Sequence, residues 1–305
     1  MQTVDGFQTV TVSSEDGRIE AEFVPDANML CCSLTHDGVQ LLHAGAGVRA
    51  YAEQGKTMGI PLLHPWANRL AGFRYEVAGR VVTLPREDPR ILLDPVGLPI
   101  HGVLPKLLRW EVGRAEAPGR LTADLTWDRP ELLEVFPFAH QLSIEASAAS
   151  GELAIATTLR PTGAEAVPAS FGYHPYLVVP GSPRQDWEVT LGASRRLVLD
   201  QRMIPTGERA PADRGSFELG EAGLDDGFAD LHAPALFEAQ AAGASVALEM
   251  GSGYAFAQIY ALPEHDFICF EPMTAPTNAL VSGDGLRLVA PGGEHRAEFA
   301  VRVRH

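Results

Sequence analysis

Residues 141–148 alternate polar and apolar side chains without a break: Gln, Leu, Ser, Ile, Glu, Ala, Ser, Ala. An extended backbone sends successive side chains to opposite faces, so this pattern fits a β-strand with one buried and one solvated face. Gly151 then supplies a turn, and Leu153, Ile155 and Thr157 line one face of the next segment, which predicts a hairpin. The C-terminus repeats the pattern. Gly292 and Gly293 make a turn, after which Ala297, Phe299, Val301 and Val303 share one face and Arg296, Glu298, Arg302 and Arg304 the other. Further hairpin turns are expected at Asp37-Gly38, Ala78-Gly79 and Gly251-Ser252-Gly253, because tight hairpins need positive φ. Segments with a 3.6-residue period are scarce. Residues 239–247 are rich in alanine, but Gly243 interrupts them and they are not read as a helix.

Many short strands with turn residues throughout (30 Gly and 23 Pro in 305 residues) define an all-β chain, expected to be a large antiparallel β-sandwich. No internal repeat or linker-like stretch divides it, so residues 1–305 are expected to form a single domain. Three cysteines, two of them adjacent (Cys31, Cys32 and Cys269), provide no disulfide framework and suit a reducing compartment. The formal charge of −15, with no basic run, excludes nucleic acid as the expected partner. No apolar stretch approaches the ~20 residues of a membrane helix, and the N-terminus lacks a basic region followed by an apolar one. A cytoplasmic protein that does not bind membranes is expected. Whether it is a monomer or a homodimer stays open.

Four stretches depart from ordinary strand and turn. The first, residues 59–70, sets His64, Trp66, Asn68 and Arg69 among prolines. Asn68 and Arg69 offer donors for sugar hydroxyls and Trp66 an apolar wall, although a structural turn with Arg69 in a salt bridge fits as well. The second is Ile100-His101-Gly102. The third is residues 171–176, where aromatics surround His174. A histidine in a partly dehydrated site is tuned across neutral pH by small changes, but a satisfied core histidine has the same signature. In the fourth, residues 267–278, Glu271 ends an apolar strand and shares a face with Cys269 and Phe267. Burial there would raise its pKa towards that of a general base. A salt bridge to an arginine is the alternative.

In this order the stretches resemble the aldose 1-epimerase (galactose mutarotase) family, in a bacterial branch. The resemblance spans residues 59–278. It is carried by Asn68-Arg69, His101-Gly102, His174 with Tyr176, Asp225 three before Phe228, Gln258 before Ile259-Tyr260, and Glu271 with Pro276 and Asn278. It implies the family's antiparallel super-sandwich, a free aldose such as galactose or glucose as substrate, and no cofactor or metal. It implies that Glu271 is the general base at the anomeric hydroxyl, His174 the general acid at the ring oxygen, and His101 a second histidine near that oxygen. Asn68, Arg69, Asp225 and Gln258 would hold sugar hydroxyls. Asp225 is preferred to Asp226 for its spacing to Phe228, and His64 is read as an ordinary loop histidine.

Three other readings are compatible with the sequence. His64, His101, His174 and Glu271 could hold a metal, although no metal-binding spacing is present. Asp225 or Asp226 with Glu271 could be the carboxylate pair of a glycoside hydrolase. A carbohydrate-binding or sugar-sensing protein without activity could share the fold. A sugar phosphate is disfavoured, because Arg69 and Arg74 are the nearest approach to a basic cluster.

Overall fold

The computed structural model describes residues 2–113, 119–212, 215–232 and 234–304; Met1 and His305, the ends of the expected domain, lie outside them. The alternating segments pair as their pattern requires. His140–Ala149 and Glu152–Pro161 form an antiparallel hairpin with ten paired residues on each side, turning through Gly151 at φ 71°. His295–Arg304 pairs with the second of these strands and with Ala244–Met250. They belong to a nine-stranded antiparallel sheet running from Glu111–Val112 to Ser216–Glu218. Its inner face carries Leu142, Ile144, Ala146, Phe299 and Val301, all buried in the main core.

A second antiparallel sheet of eight strands is ordered Pro205–Pro211, Ala193–Leu199, Leu224–Leu231, Phe256–Ala261, Ile268–Met273, Gly172–Tyr173 and Leu62–Leu63, with Tyr176–Leu177 attached beside Ile268–Met273. A four-stranded sheet, from Val10–Ser13 to Val39–Gln40, lies near the N-terminus. One hydrophobic cluster extends from Val12 to Val303, and Phe237 of the nine-stranded sheet meets Phe270 of the eight-stranded sheet at 5.8 Å. Cys31 and Cys32 point to opposite faces as adjacent strand residues must: Cys31 joins the main cluster and Cys32 a smaller one around Tyr51. Neither is disulfide-bonded. No helix among the described residues is long and apolar enough to cross a membrane.

The turns at Asp37-Gly38 and Ala78-Gly79 close hairpins as expected, with positive φ at all four residues. Residues 239–247 are a hairpin too, turning at Ala242 and Gly243. Gly251-Ser252-Gly253 is not a hairpin turn. Ala244–Met250 belongs to the nine-stranded sheet and Phe256–Ala261 to the eight-stranded one, so this segment crosses between sheets. Gly253 is needed there for close approach: a Cβ would lie 2.2 Å from the carbonyl oxygen of Arg296.

Candidate active site

The site is built on the strand Ile268–Met273, which has no exposed residue. Phe270 points into the main core, so Cys269 and Glu271 point the other way. Register then assembles a row of polar groups on that second face. Gln258 lies opposite Glu271, and Tyr260 lies opposite both Cys269 and Asp225. Gln258 Nε2 donates to Asp225 Oδ1 at 2.6 Å across Gly227. A Cβ at Gly227 would sit 3.2 Å from Gln258 Oε1, so glycine leaves room for this bond. Asp226 alternates to the opposite face and pairs with Arg196 at 3.2 Å.

His174 comes from the connection between Gly172–Tyr173 and Tyr176–Leu177. Its amide donates to the Pro61 carbonyl at 3.1 Å, and its ring stacks on Tyr176 with centroids 4.5 Å apart. Tyr176 is held by a 2.5 Å hydrogen bond between its hydroxyl and Thr57 Oγ1. This fixes His174 Nε2 at 3.3 Å from Glu271 Oε1, with both side chains almost wholly buried. Glu271 Oε2 has no hydrogen-bond partner among the described residues. The His101 ring meets the His174 ring edge-on at 5.5 Å.

Asn68 and Arg69 arrive on a loop and His101 on the strand Pro99–Val103, and the two segments are tied to each other. The His101 amide donates to the Asn68 carbonyl, and Asn68 and His101 both adopt left-handed backbone, φ 56° and 58°. Asn278, likewise left-handed, donates its amide to the Arg69 carbonyl and accepts from the Ala71 amide through its side chain. Arg69 donates through Nε to Asp94 Oδ2 at 2.8 Å.

These groups line one cavity of about 460 Å³, large enough for a small molecule. Six of the seven expected site residues line it: Asn68, Arg69, His101, His174, Asp225 and Glu271. The seventh, Gln258, is buried behind Asp225. Tyr176, Tyr260, Phe267, His43 and His265 form its aromatic side. Another hollow, of about 300 Å³, lies on the outer face of the nine-stranded sheet. Its charged groups are engaged with one another, Arg296 lying 3.1 Å from Glu145 and 3.8 Å from Glu298.

Two expectations are corrected. Trp66 is fully buried in the core and lines no part of the cavity; an indole is largely apolar and the inter-sheet layer takes it. His64 is no loop histidine. It is buried between the sheets, with Nε2 2.9 Å from His140 Nε2 and its ring edge-on to Trp127, so it does not join His101, His174 and Glu271. Tyr176, Tyr260 and Phe267 stood in the stretches and motifs singled out above, but Asp94, His43 and His265 were missed. Only the turn-forming Asp94-Pro95 pair gave a signal, and it marked a loop rather than a site.

Burial dominates the electrostatics. It pushes Glu271 well above the usual carboxylate range, reinforced by the nearby Asp225 and opposed by Arg69. It pushes His174 down to about 3. His101 also goes well below its ordinary value through burial, then through His174 and Arg69. Asp225 is raised by burial, against the Gln258 hydrogen bond. The 3.3 Å pair is therefore favoured as a neutral carboxyl beside a neutral imidazole. It carries the same single proton as the carboxylate–imidazolium form.

Residues 32–302 match the family model of the aldose 1-epimerases, and the chain belongs to that family. It is 25% identical over 285 residues to YihR of Escherichia coli K12, a protein described as uncharacterised, covering 86% of this chain and 88% of that one. Solved structures share the fold at low identity. The Slr1438 protein of Synechocystis sp. PCC 6803 superposes with a TM-score of 0.80 at 23% identity, covering 100% of this chain and 98% of that one. A galactose mutarotase-like protein of Clostridium acetobutylicum gives 0.81 at 19%, covering 98% and 96%. A galactose 1-epimerase of Lactobacillus acidophilus NCFM gives 0.75 at 14%, covering 98% and 99%.

Proposed function

We propose that this protein is a mutarotase. On this reading it interconverts the α and β anomers of a free aldose by acid–base opening and closing of the ring, with residues 1–305 acting as one domain. The observation that carries the reading is the buried Glu271–His174 pair at 3.3 Å in a cavity that also presents the hydrogen-bonding side chains of Asn68, Arg69, His101 and Asp225. The anomeric carbon C1 bears two oxygens, the hydroxyl O1 and the ring oxygen O5. Two proton-transfer atoms close together can address both, each within roughly 2.6–3.2 Å of its oxygen.

In the proposed opening step the shared proton first passes from the Glu271 carboxyl to His174, and the resulting carboxylate takes the proton of the O1 hydroxyl. Electrons from that O–H bond form the carbonyl, the C1–O5 bond breaks, and O5 takes the proton of the His174 imidazolium. The products are an open-chain aldehyde, a neutral carboxyl and a neutral imidazole. Rotation about C1–C2 presents the other carbonyl face, and ring closure runs the transfers in reverse. The pair returns to its starting form with no net proton change. On this reading His101, whose ring meets that of His174 edge-on, would bond near O5. Asn68, Arg69 and Asp225 would fix the remaining hydroxyls, with Gln258 orienting Asp225. The reading needs no cofactor.

Polarimetry tests it. Freshly dissolved α-galactose and α-glucose should reach equilibrium rotation faster with the protein than in buffer. Glu271→Gln and His174→Asn should each remove roughly 10²–10⁴-fold of the rate while remaining folded. Near-wild-type turnover in either variant would remove that residue from the mechanism.

A further inference from the structure

Building on the mutarotase reading, we infer that Asp94 sets the substrate class, confining the cavity to neutral aldoses and excluding sugars that carry a carboxylate or phosphate. Among the described residues Arg69 is the sole arginine or lysine lining the cavity, and so its sole permanent cation there. It already has an anionic partner. The Asp94 side chain is 1% exposed, and its Oδ2 accepts from Arg69 Nε at 2.8 Å. Its Oδ1 accepts the amides of Val96 and Leu98 at 3.0 and 2.8 Å, so the turn that carries Asp94 anchors it against movement. Asn68 Oδ1 takes a further bond from Arg69 Nη1 at 3.2 Å.

A substrate anion would therefore meet a guanidinium that is already neutralised. It would also meet the Asp225 carboxyl group, while the Glu271 carboxyl, favoured as neutral, offers it no positive charge. Placing like charges together in a dehydrated site is strongly unfavourable. The histidines offer no compensation, since burial favours the neutral form of His43, His101 and His174. Sugar hydroxyls, which donate and accept, are well served by the same groups. The whole-chain charge of −15 acts in the same direction at long range. Asp94 is a positioning residue, acting on substrate through Arg69.

Galactose and galacturonate provide a matched pair, because they differ only in a hydroxymethyl against a carboxylate at C6. Polarimetry at pH 7 gives kcat/KM for both sugars, and calorimetry gives Kd for both. The wild-type protein should favour galactose by at least ~10-fold. Asp94→Asn keeps an amide oxygen for the turn but leaves Arg69 uncompensated. It should narrow the gap by at least ~10-fold, mainly through a lower KM for galacturonate. Asp94→Ser serves the same purpose if the asparagine variant does not fold. Equal wild-type use of both sugars would overturn the inference. So would a variant that loses both activities in parallel with the ratio unchanged, since that is what mere structural support produces. If neither sugar's rotation is accelerated, the mutarotase reading fails, and the two Kd values still decide the selectivity. Binding of neither sugar overturns both.

Discussion

Glu271 and His174 work as one titrating unit. Groups 3.3 Å apart in a buried site gain and lose protons as a pair, so the rate should follow the singly protonated form. The kcat/KM profile should be bell-shaped, with an acid limb where a second proton binds and an alkaline limb where the last is lost. Asp225 helps to raise the Glu271 pKa, and removing its charge eases proton loss. Asp225→Asn should therefore move the alkaline limb of its residual activity to lower pH. An unmoved limb, or a wild-type profile flat from acid to alkaline, would show that Glu271 is not the group observed. Much at this scale was legible in the sequence. Period two gave Glu271 its face with Cys269, and the spacing to Phe228 in the family resemblance selected Asp225 over Asp226. The pairing of Asp94 with Arg69 was not, because 25 residues separate them and only the fold brings them together.

At the scale of elements, alternation and turn residues located strands well but could not say which strands pair. Gly251 and Gly253 looked like a hairpin turn because a sheet-to-sheet crossover uses glycine for a different reason, close contact with another backbone. Gly102 does the same at the site. Its φ is 78°, and a Cβ there would lie 2.0 Å from the His64 carbonyl oxygen. The segment that leads to Asn68 and the strand Pro99–Val103 that carries His101 meet at that point. Gly102→Ala should cost several kcal/mol and most of the activity. Gly79→Ala, in a hairpin turn with open space around it, should cost only about 1–2 kcal/mol for its left-handed φ. Equal losses of Tm in the two variants would show that the crossing does not constrain the site.

For the whole molecule, the interior holds histidines that are kept neutral. Burial lowers His64 and His101 well below the ordinary value, His140 to about 4 and His174 to about 3. The unfolded chain binds protons at these groups more readily than the folded one does. Their contribution to stability is thus full above about pH 6.5 and declines as pH falls towards the folded values. For His140 this amounts to roughly 3 kcal/mol. Glu271 has the opposite sign: its raised proton affinity favours the folded state at low pH, and that contribution is lost as pH rises above the ordinary carboxylate range. Urea unfolding should show stability falling between pH 7 and pH 4, and His140→Gln should flatten that fall. The same slope in both proteins would exclude His140 as a source of acid sensitivity.

The sequence by itself determined the strand-forming segments, most of their turns and the side chains suited to sugar chemistry, because alternation, positive φ and functional-group chemistry are local properties. Tertiary structure alone decided which loops converge. It put Trp66 and His64 into the inter-sheet core, gave Arg69 its partner in Asp94, and set Glu271 3.3 Å from His174. The physical reason is that burial, and the pKa shifts and charge pairing that follow from it, depend on groups distant in sequence that meet only when the sheets pack.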